Sequence, residues 1–152
     1  MSDFRNSKTK DNLMRAFAGE SQARNRYTMA EEKARQQKLY VLADLFKFTA
    51  DQEKVHAKIF YEHLKELSGE SVFVDGGYPV DISEDMCTLL GMADHNERQE
   101  SDDVCGYCKA GGLWKDSSGL YEYRQDRECS RQAFCGIWQA YERGKAVLFL
   151  PV

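Results

Sequence analysis

The chain has 152 residues, with 21 Lys or Arg against 25 Asp or Glu, a formal net charge of −4 and a pI near 5.4. That length is sufficient for one well-filled core without covalent staples, and the acidic balance, with no Lys/Arg cluster, leaves no footprint for nucleic acid. No apolar run approaches the roughly 18 to 20 residues that span a bilayer, and the first twelve residues are polar, so a cytoplasmic protein with no membrane partner is expected. Five cysteines without a regular framework fit a reducing compartment better than a secreted disulfide scaffold.

From Lys8 to Gln36 there is no Pro and one Gly, and Leu13, Phe17, Glu20, Ala23, Tyr27 and Ala30 recur at steps of three or four. This spacing predicts a long amphipathic helix over 8–36, with Ser7 as its N-cap. A second helix is predicted over 40–67, where Leu42, Leu45, Phe46, Phe48, Ala50, Val55, Ile59, Phe60 and Leu64 repeat the pattern. The connection between them is a few residues long, so the two should pack antiparallel as a hairpin. Gly69, Gly76, Gly77 and Pro79 then mark a crossover. Asp81-Ile-Ser-Glu84 has the form of a capping box, predicting a third helix over 82–103 with Met86, Leu89, Leu90 and Ala93 on its apolar side. The expected class is all-α, with a helical domain over 1–104 and an irregular tail over 105–152, where no helical period is sustained.

Glu53-Lys-Val-His56 carries the chemistry. On a helix, residues three apart lie about 300° around the axis and about 4.5 Å along it, so both side chains reach one metal ion. A hard carboxylate oxygen with a borderline imidazole nitrogen suits iron, manganese or zinc more than calcium. Such a pair often merely faces water, and Glu20 by the same reasoning often reaches solvent from the edge of a stripe. Yet Glu20 falls within the apolar stripe of the first helix, where an unpartnered carboxylate is costly to bury. Glu97 and Glu100 repeat the three-residue spacing on the third helix. Three helices offering Glu at helical spacing, one adding His, supply the parts of a carboxylate-bridged di-metal centre in a four-helix bundle.

Two segments make the pattern recognisable: Ala16-Phe-Ala-Gly-Glu20-Ser-Gln-Ala-Arg-Asn-Arg-Tyr27 and Thr49-Ala-Asp-Gln-Glu53-Lys-Val-His56-Ala-Lys58. The chain closely resembles the rubrerythrin family of ferritin-like di-iron proteins, nearly continuously from Ser7 to Leu67 and less densely to residue 104, where Glu97-Arg-Gln-Glu100 stands at the family's Glu-x-x-Glu. The resemblance implies a ferritin-like four-helix bundle and five iron ligands, Glu20, Glu53, His56, Glu97 and Glu100. It also implies that Tyr27 hydrogen-bonds a ligand carboxylate. The activity implied is reduction of hydrogen peroxide in oxidative-stress protection, with electrons from a rubredoxin-like centre or a flavoprotein donor, in a homo-oligomer such as a dimer.

The resemblance stops after Val104. The family's fourth helix carries a second Glu-x-x-His, but the last His here is His95. One constant shifted frame, taking the last two bases of each codon with the first base of the next, permits family-like text. The Trp138–Gln139 junction forces Gly, and the junctions onward to Leu148 permit Lys-Leu-Met-Lys-Glu-Gly-Lys-Leu-Phe. The run from Trp114 permits Gly-Lys-Ile-Ala, that from Val104 to Tyr107 permits Tyr-Ala-Gly, and that from Gln125 to Arg131 permits Lys-Ile-Glu-Asn-Ala-His, which contains the missing motif. The tail is therefore expected to be a fourth helix read out of frame, the alternative being a divergent tail. Loss of that helix would impair the peroxidase. It would also leave apolar stripes open to oligomerisation.

Cys105-x-x-Cys108 is similar to one knuckle of a rubredoxin or zinc ribbon, with Cys129 and Cys135 as nominal completing thiols. The second pair has five residues between its members rather than two, which argues against an ordered tetrathiolate iron centre. Cys87 reads as a small apolar residue. A separate class of function, a non-catalytic ferritin-like iron-binding or helical assembly module, stands beside the peroxidase.

Overall fold

A computed structural model describes residues 4–111, with side chains as far as Gln99. The expectations for Cys129, Cys135 and the out-of-frame tail lie outside the described residues, as does the side chain of Glu100.

Helix α1 (Lys8–Gln36) begins where the sequence places it. The Ser7 hydroxyl accepts the Lys10 N–H at 3.2 Å and donates to the Phe4 carbonyl at 2.7 Å, joining the helix start to a short 3₁₀ turn over Phe4–Asn6. Its far end closes with two reversed bonds, Lys38 N–H to the Arg35 carbonyl at 3.0 Å and Leu39 N–H to the Ala34 carbonyl at 2.9 Å. These satisfy carbonyls that the helix itself cannot. They require a left-handed residue at the turn, and Lys38 adopts it with φ 62°. The chain reverses there into α2 (Tyr40–Glu62), giving the expected antiparallel hairpin.

Helix α2 stops at Glu62 rather than Leu67. Leu64 and Leu67 are still buried, because a 3₁₀ turn over Lys65–Leu67 carries the apolar spacing onward. A three-residue repeat is common to both helix types, so apolar spacing does not separate them. Gly69, at φ 86°, then turns the chain into the crossover.

Helix α3 (Met86–Gly111) starts four residues later than the capping-box reading and runs past Asp103. Asp85, not Asp81, caps it. One Asp85 oxygen, Oδ2, accepts both the Thr88 N–H at 2.8 Å and the Thr88 hydroxyl at 2.6 Å. Ile82, which the earlier start would have wound into the helix, is 80% exposed. The helical backbone also continues through Cys105 and Cys108, residues expected in an irregular tail.

The described residues form an all-α fold without strands, and no described helix is long and apolar enough to cross a membrane. Its apolar interior falls into two clusters. One joins Ala23, Tyr27, Ala30 and Ala34 of α1 to Leu42, Ala43, Phe46 and Ala50 of α2 and to Met86, Leu89, Leu90 and Ala93 of α3. The other gathers Leu13, Phe60, Leu64 and Leu67 at the opposite end. Alanines along α1 bring the helix axes close, and Phe46, fully buried among them, contributes about 1.5–3 kcal/mol of apolar transfer. Between the two clusters, α1 buries Glu20 and α2 buries Glu53 and His56.

The crossover follows α1. Arg15 Nη2 meets Asp75 Oδ1 at 2.6 Å, and Arg26 pairs with Asp81. Lys33 Nζ donates to the Ser83 carbonyl at 2.7 Å and to Glu84 Oε1 at 2.6 Å. This strap carries the chain from the end of α2 to the start of α3.

Candidate metal centre

The polar layer between the clusters is where the sequence-predicted ligands meet. Glu20 lies one helical turn before Ala23 on the buried face of α1, 3% exposed. Glu53 and His56, each 1% exposed, occupy the facing positions of α2, between Ala50 and Phe60. All three arrive on helical backbone, so their positions are set by register rather than by a loop. Their candidate ligand atoms lie within 4.8 Å of one another. His56 Nδ1 is 3.1 Å from Glu53 Oε2 and 3.8 Å from Glu20 Oε2.

Glu97, also 1% exposed, enters from α3. The Tyr27 hydroxyl donates to its Oε1 at 2.6 Å, a bond between α1 and α3 across the interior. The Tyr27 ring stacks on Phe46 with centroids 6.2 Å apart, so the phenol is anchored apolar side first and presents its hydroxyl to the polar layer. The structure thus brings Glu20, Glu53 and His56 together and connects Tyr27 to the buried Glu97 carboxylate.

Burying two glutamates and an imidazole within a few ångströms is unfavourable unless charges and lone pairs are compensated. The Glu53–His56 hydrogen bond provides part of that compensation. A cation among the carboxylates would provide more, and two hard oxygens with one imidazole nitrogen match iron, manganese or zinc. The residues present therefore fit a metal.

Sequence reasoning missed Asn96. It is 6% exposed and donates through Nδ2 to Asp81 Oδ2 at 2.7 Å. Its signal was available: Asn96 follows Ala93 by three residues on the apolar side of α3, a position where an amide needs a partner. Asp81 was legible as a polar residue near a helix start, but it serves Asn96 and Arg26 rather than the helix end.

A helical hairpin crossed by a third helix, with a buried carboxylate–imidazole layer between apolar clusters, defines a ferritin-like domain. Residues 11–79 match the family model Rubrerythrin. The chain is 43% identical over 101 residues to the rubrerythrin of Clostridium perfringens, covering 66% of this chain and 52% of that protein. It is 38% identical over 104 residues to rubrerythrin-1 of Clostridium acetobutylicum, covering 67% and 53%, and 37% identical over 103 residues to the rubrerythrin of Nitratidesulfovibrio vulgaris, covering 66% and 52%. Residues 11–79 are thus a rubrerythrin-family domain, in a chain that spans about half the length of these relatives.

Proposed function

We propose that this chain binds non-haem iron between its helices and acts as a rubrerythrin-type di-iron oxidoreductase that reduces hydrogen peroxide, with a rubredoxin-like or flavoprotein electron donor. The observation that carries the reading is the convergence of Glu20, Glu53 and His56, all buried, on a volume whose donor atoms lie within 4.8 Å. These three residues would hold the metal, with Glu97 of α3 beside them. A pair of ferrous ions, when bound, supplies the two electrons needed to cleave one peroxide O–O bond.

The protein's own contribution is placement and exclusion. Glu53 orients the His56 ring through its 3.1 Å contact. Tyr27 holds one oxygen of Glu97, a bond of the kind that fixes ligand orientation around metals. The apolar clusters on either side keep bulk water from the layer, which strengthens electrostatic interactions within it. Phe48 and Val55, both more than half exposed and seven residues apart on α2, support an oligomer, because they extend one apolar stripe along the outer side of that helix.

Among the described residues His56 is the imidazole that joins the carboxylates, so a first iron would be held more tightly at Glu20, Glu53 and His56 than a second beside it. The test is anaerobic ferrous loading of the full chain, with iron per chain measured before and after desalting and oxidation by peroxide followed by stopped-flow absorbance. Bound iron that peroxide oxidises rapidly, and that His56→Ala loses, is the expected result. Iron retention without accelerated oxidation supports instead the non-catalytic iron-binding module. Failure of the wild-type chain to retain iron removes both.

A further inference from the structure

A second polar cluster borders the Tyr27–Glu97 bond. Asp81 Oδ2, on the crossover, accepts from Asn96 Nδ2 of α3 at 2.7 Å and from Arg26 Nη1 of α1. Arg26 is itself fixed from two other sides. Its Nε donates to Gln22 Oε1 at 2.8 Å, and its guanidinium carbon lies 5.7 Å from the centroid of the Tyr27 ring. The Arg26 and Asp81 side chains are only 12% and 15% exposed, so this pair is less screened than one on the open surface.

The arrangement matters because of which residues it joins. Arg26 immediately precedes Tyr27 on α1, and Asn96 immediately precedes Glu97 on α3. One carboxylate therefore ties together the sequence neighbours of both partners in the interhelical bond. The apolar contacts between α1 and α3 are non-directional and resist separation better than sliding. A slide of one residue displaces a helix by about 1.5 Å, enough to break a 2.6 Å hydrogen bond. Two directional bonds to one oxygen, one from each helix, oppose that slide.

We propose that Asp81 is a positioning residue: from the crossover it locks α1 and α3 in the register in which Tyr27 reaches Glu97, and so sets where the Glu97 carboxylate stands in the polar layer. Its effect on metal affinity rests on the metal-binding reading, whereas its effect on the Tyr27–Glu97 bond does not. The segment around Asp81 keeps other anchors when the carboxylate is removed. Lys33 still holds the Ser83 carbonyl and Glu84, and Gln37 Nε2 still donates to the Glu84 carbonyl at 3.0 Å.

The experiment compares the full-length wild-type chain with Asp81→Ala and Asp81→Asn. Metal-free protein labelled with 13C at the tyrosine ring carbon bearing oxygen reports the Tyr27 hydrogen bond, the signal being assigned with Tyr27→Phe. Cobalt(II) titration of the same samples reports the layer. Asp81→Ala is expected to shift the Tyr27 signal and to weaken cobalt binding about tenfold without loss of helix content. Asp81→Asn, whose amide oxygen accepts both bonds, is expected to return the signal towards wild type. An unmoved Tyr27 signal in Asp81→Ala, or equal displacement in both variants, overturns the proposal. So does cobalt affinity within about twofold of wild type in Asp81→Ala when the wild-type chain binds cobalt. If the Tyr27 signal behaves as expected but the wild-type chain takes up no cobalt, the metal-binding reading falls and the positioning role stands.

Discussion

Glu20, Glu53 and His56 oppose folding of the metal-free protein. Each replaces an apolar side chain at a position that is at most 3% exposed, and their mutual contacts offset desolvation only in part. Replacing the whole layer by Glu20→Met, Glu53→Met and His56→Leu should therefore stabilise the metal-free chain, by about 1–4 kcal/mol on the scale of other buried ionic clusters, while abolishing metal uptake. Denaturant unfolding of the two proteins in the presence of a chelator checks the first outcome, and cobalt titration checks the second. Lower stability of the triple variant would show that the layer is satisfied without a metal. The single substitution Glu53→Met is expected to behave differently, since it leaves His56 and Glu20 buried without their common neighbour. This part of the site was legible in the sequence because helical spacing alone places Glu20 on a buried stripe and His56 one turn from Glu53. The network of Asn96, Asp81 and Arg26 was not, because it joins residues 55 and 15 positions apart, a distance no local pattern spans.

The elements are ended by small motifs, and these were read less well than their interiors. The sequence pattern places Asp81 with Glu84 at the cap of α3, whereas Asp85 with Thr88 caps it. The choice is tertiary. Asp81 is drawn to Arg26 and Asn96, which leaves Asp85 to begin the helix. Its carboxyl is held below the ordinary value of 3.8 by the hydrogen bonds from the Thr88 hydroxyl and the Thr88 N–H. A carboxyl with its folded pKa depressed stabilises the fold above the unfolded pKa, and that contribution is lost as pH falls through the folded value. Asp85→Ala should consequently lower the melting temperature by a few degrees at about pH 6, and the difference from wild type should shrink below about pH 4 as the wild-type carboxyl takes up its proton. Thermal melts of both proteins across that range test it; a difference independent of pH would mean that the Asp85 charge has no part in the cap. At the same end of the bundle, where Gln37 reaches the Glu84 carbonyl, Lys38 pays a conformational penalty for its φ of 62°, a geometry that glycine adopts without steric cost. Lys38→Gly should stabilise the α1–α2 hairpin by about 0.5–1 kcal/mol, the left-handed penalty less the added freedom of the unfolded chain. A shift of the urea midpoint to lower concentration would contradict that assignment.

At the scale of the whole molecule, the three described helices bring Glu20, Glu53, His56 and Glu97 into the interior, whereas the di-metal centre implied by the resemblance would draw on four. The described part accounts for Glu20, Glu53, His56 and Glu97, and the missing Glu-x-x-His has no counterpart in the text after residue 104 as translated. An out-of-frame fourth helix would account for the abrupt end of the family-like text near Val104. It would also account for the several family-like runs that one constant shift permits in family order, including Glu-Asn-Ala-His across Gln125 to Arg131. Codon degeneracy permits such runs without requiring them, so the gene decides. Its sequence through the codons for Asp102 to Cys108 is expected to reveal a position where one inserted or deleted base opens a frame encoding Glu-x-x-His. Absence of any such position would establish a divergent tail. The restored protein, expressed beside the present one, should then retain close to twice as much iron per chain after desalting, because a second imidazole and carboxylate complete the ligand sets of both ions. Equal iron retention would mean that the helices α1 to α3 already provide all the binding that the layer supports, and that the fourth helix serves packing alone.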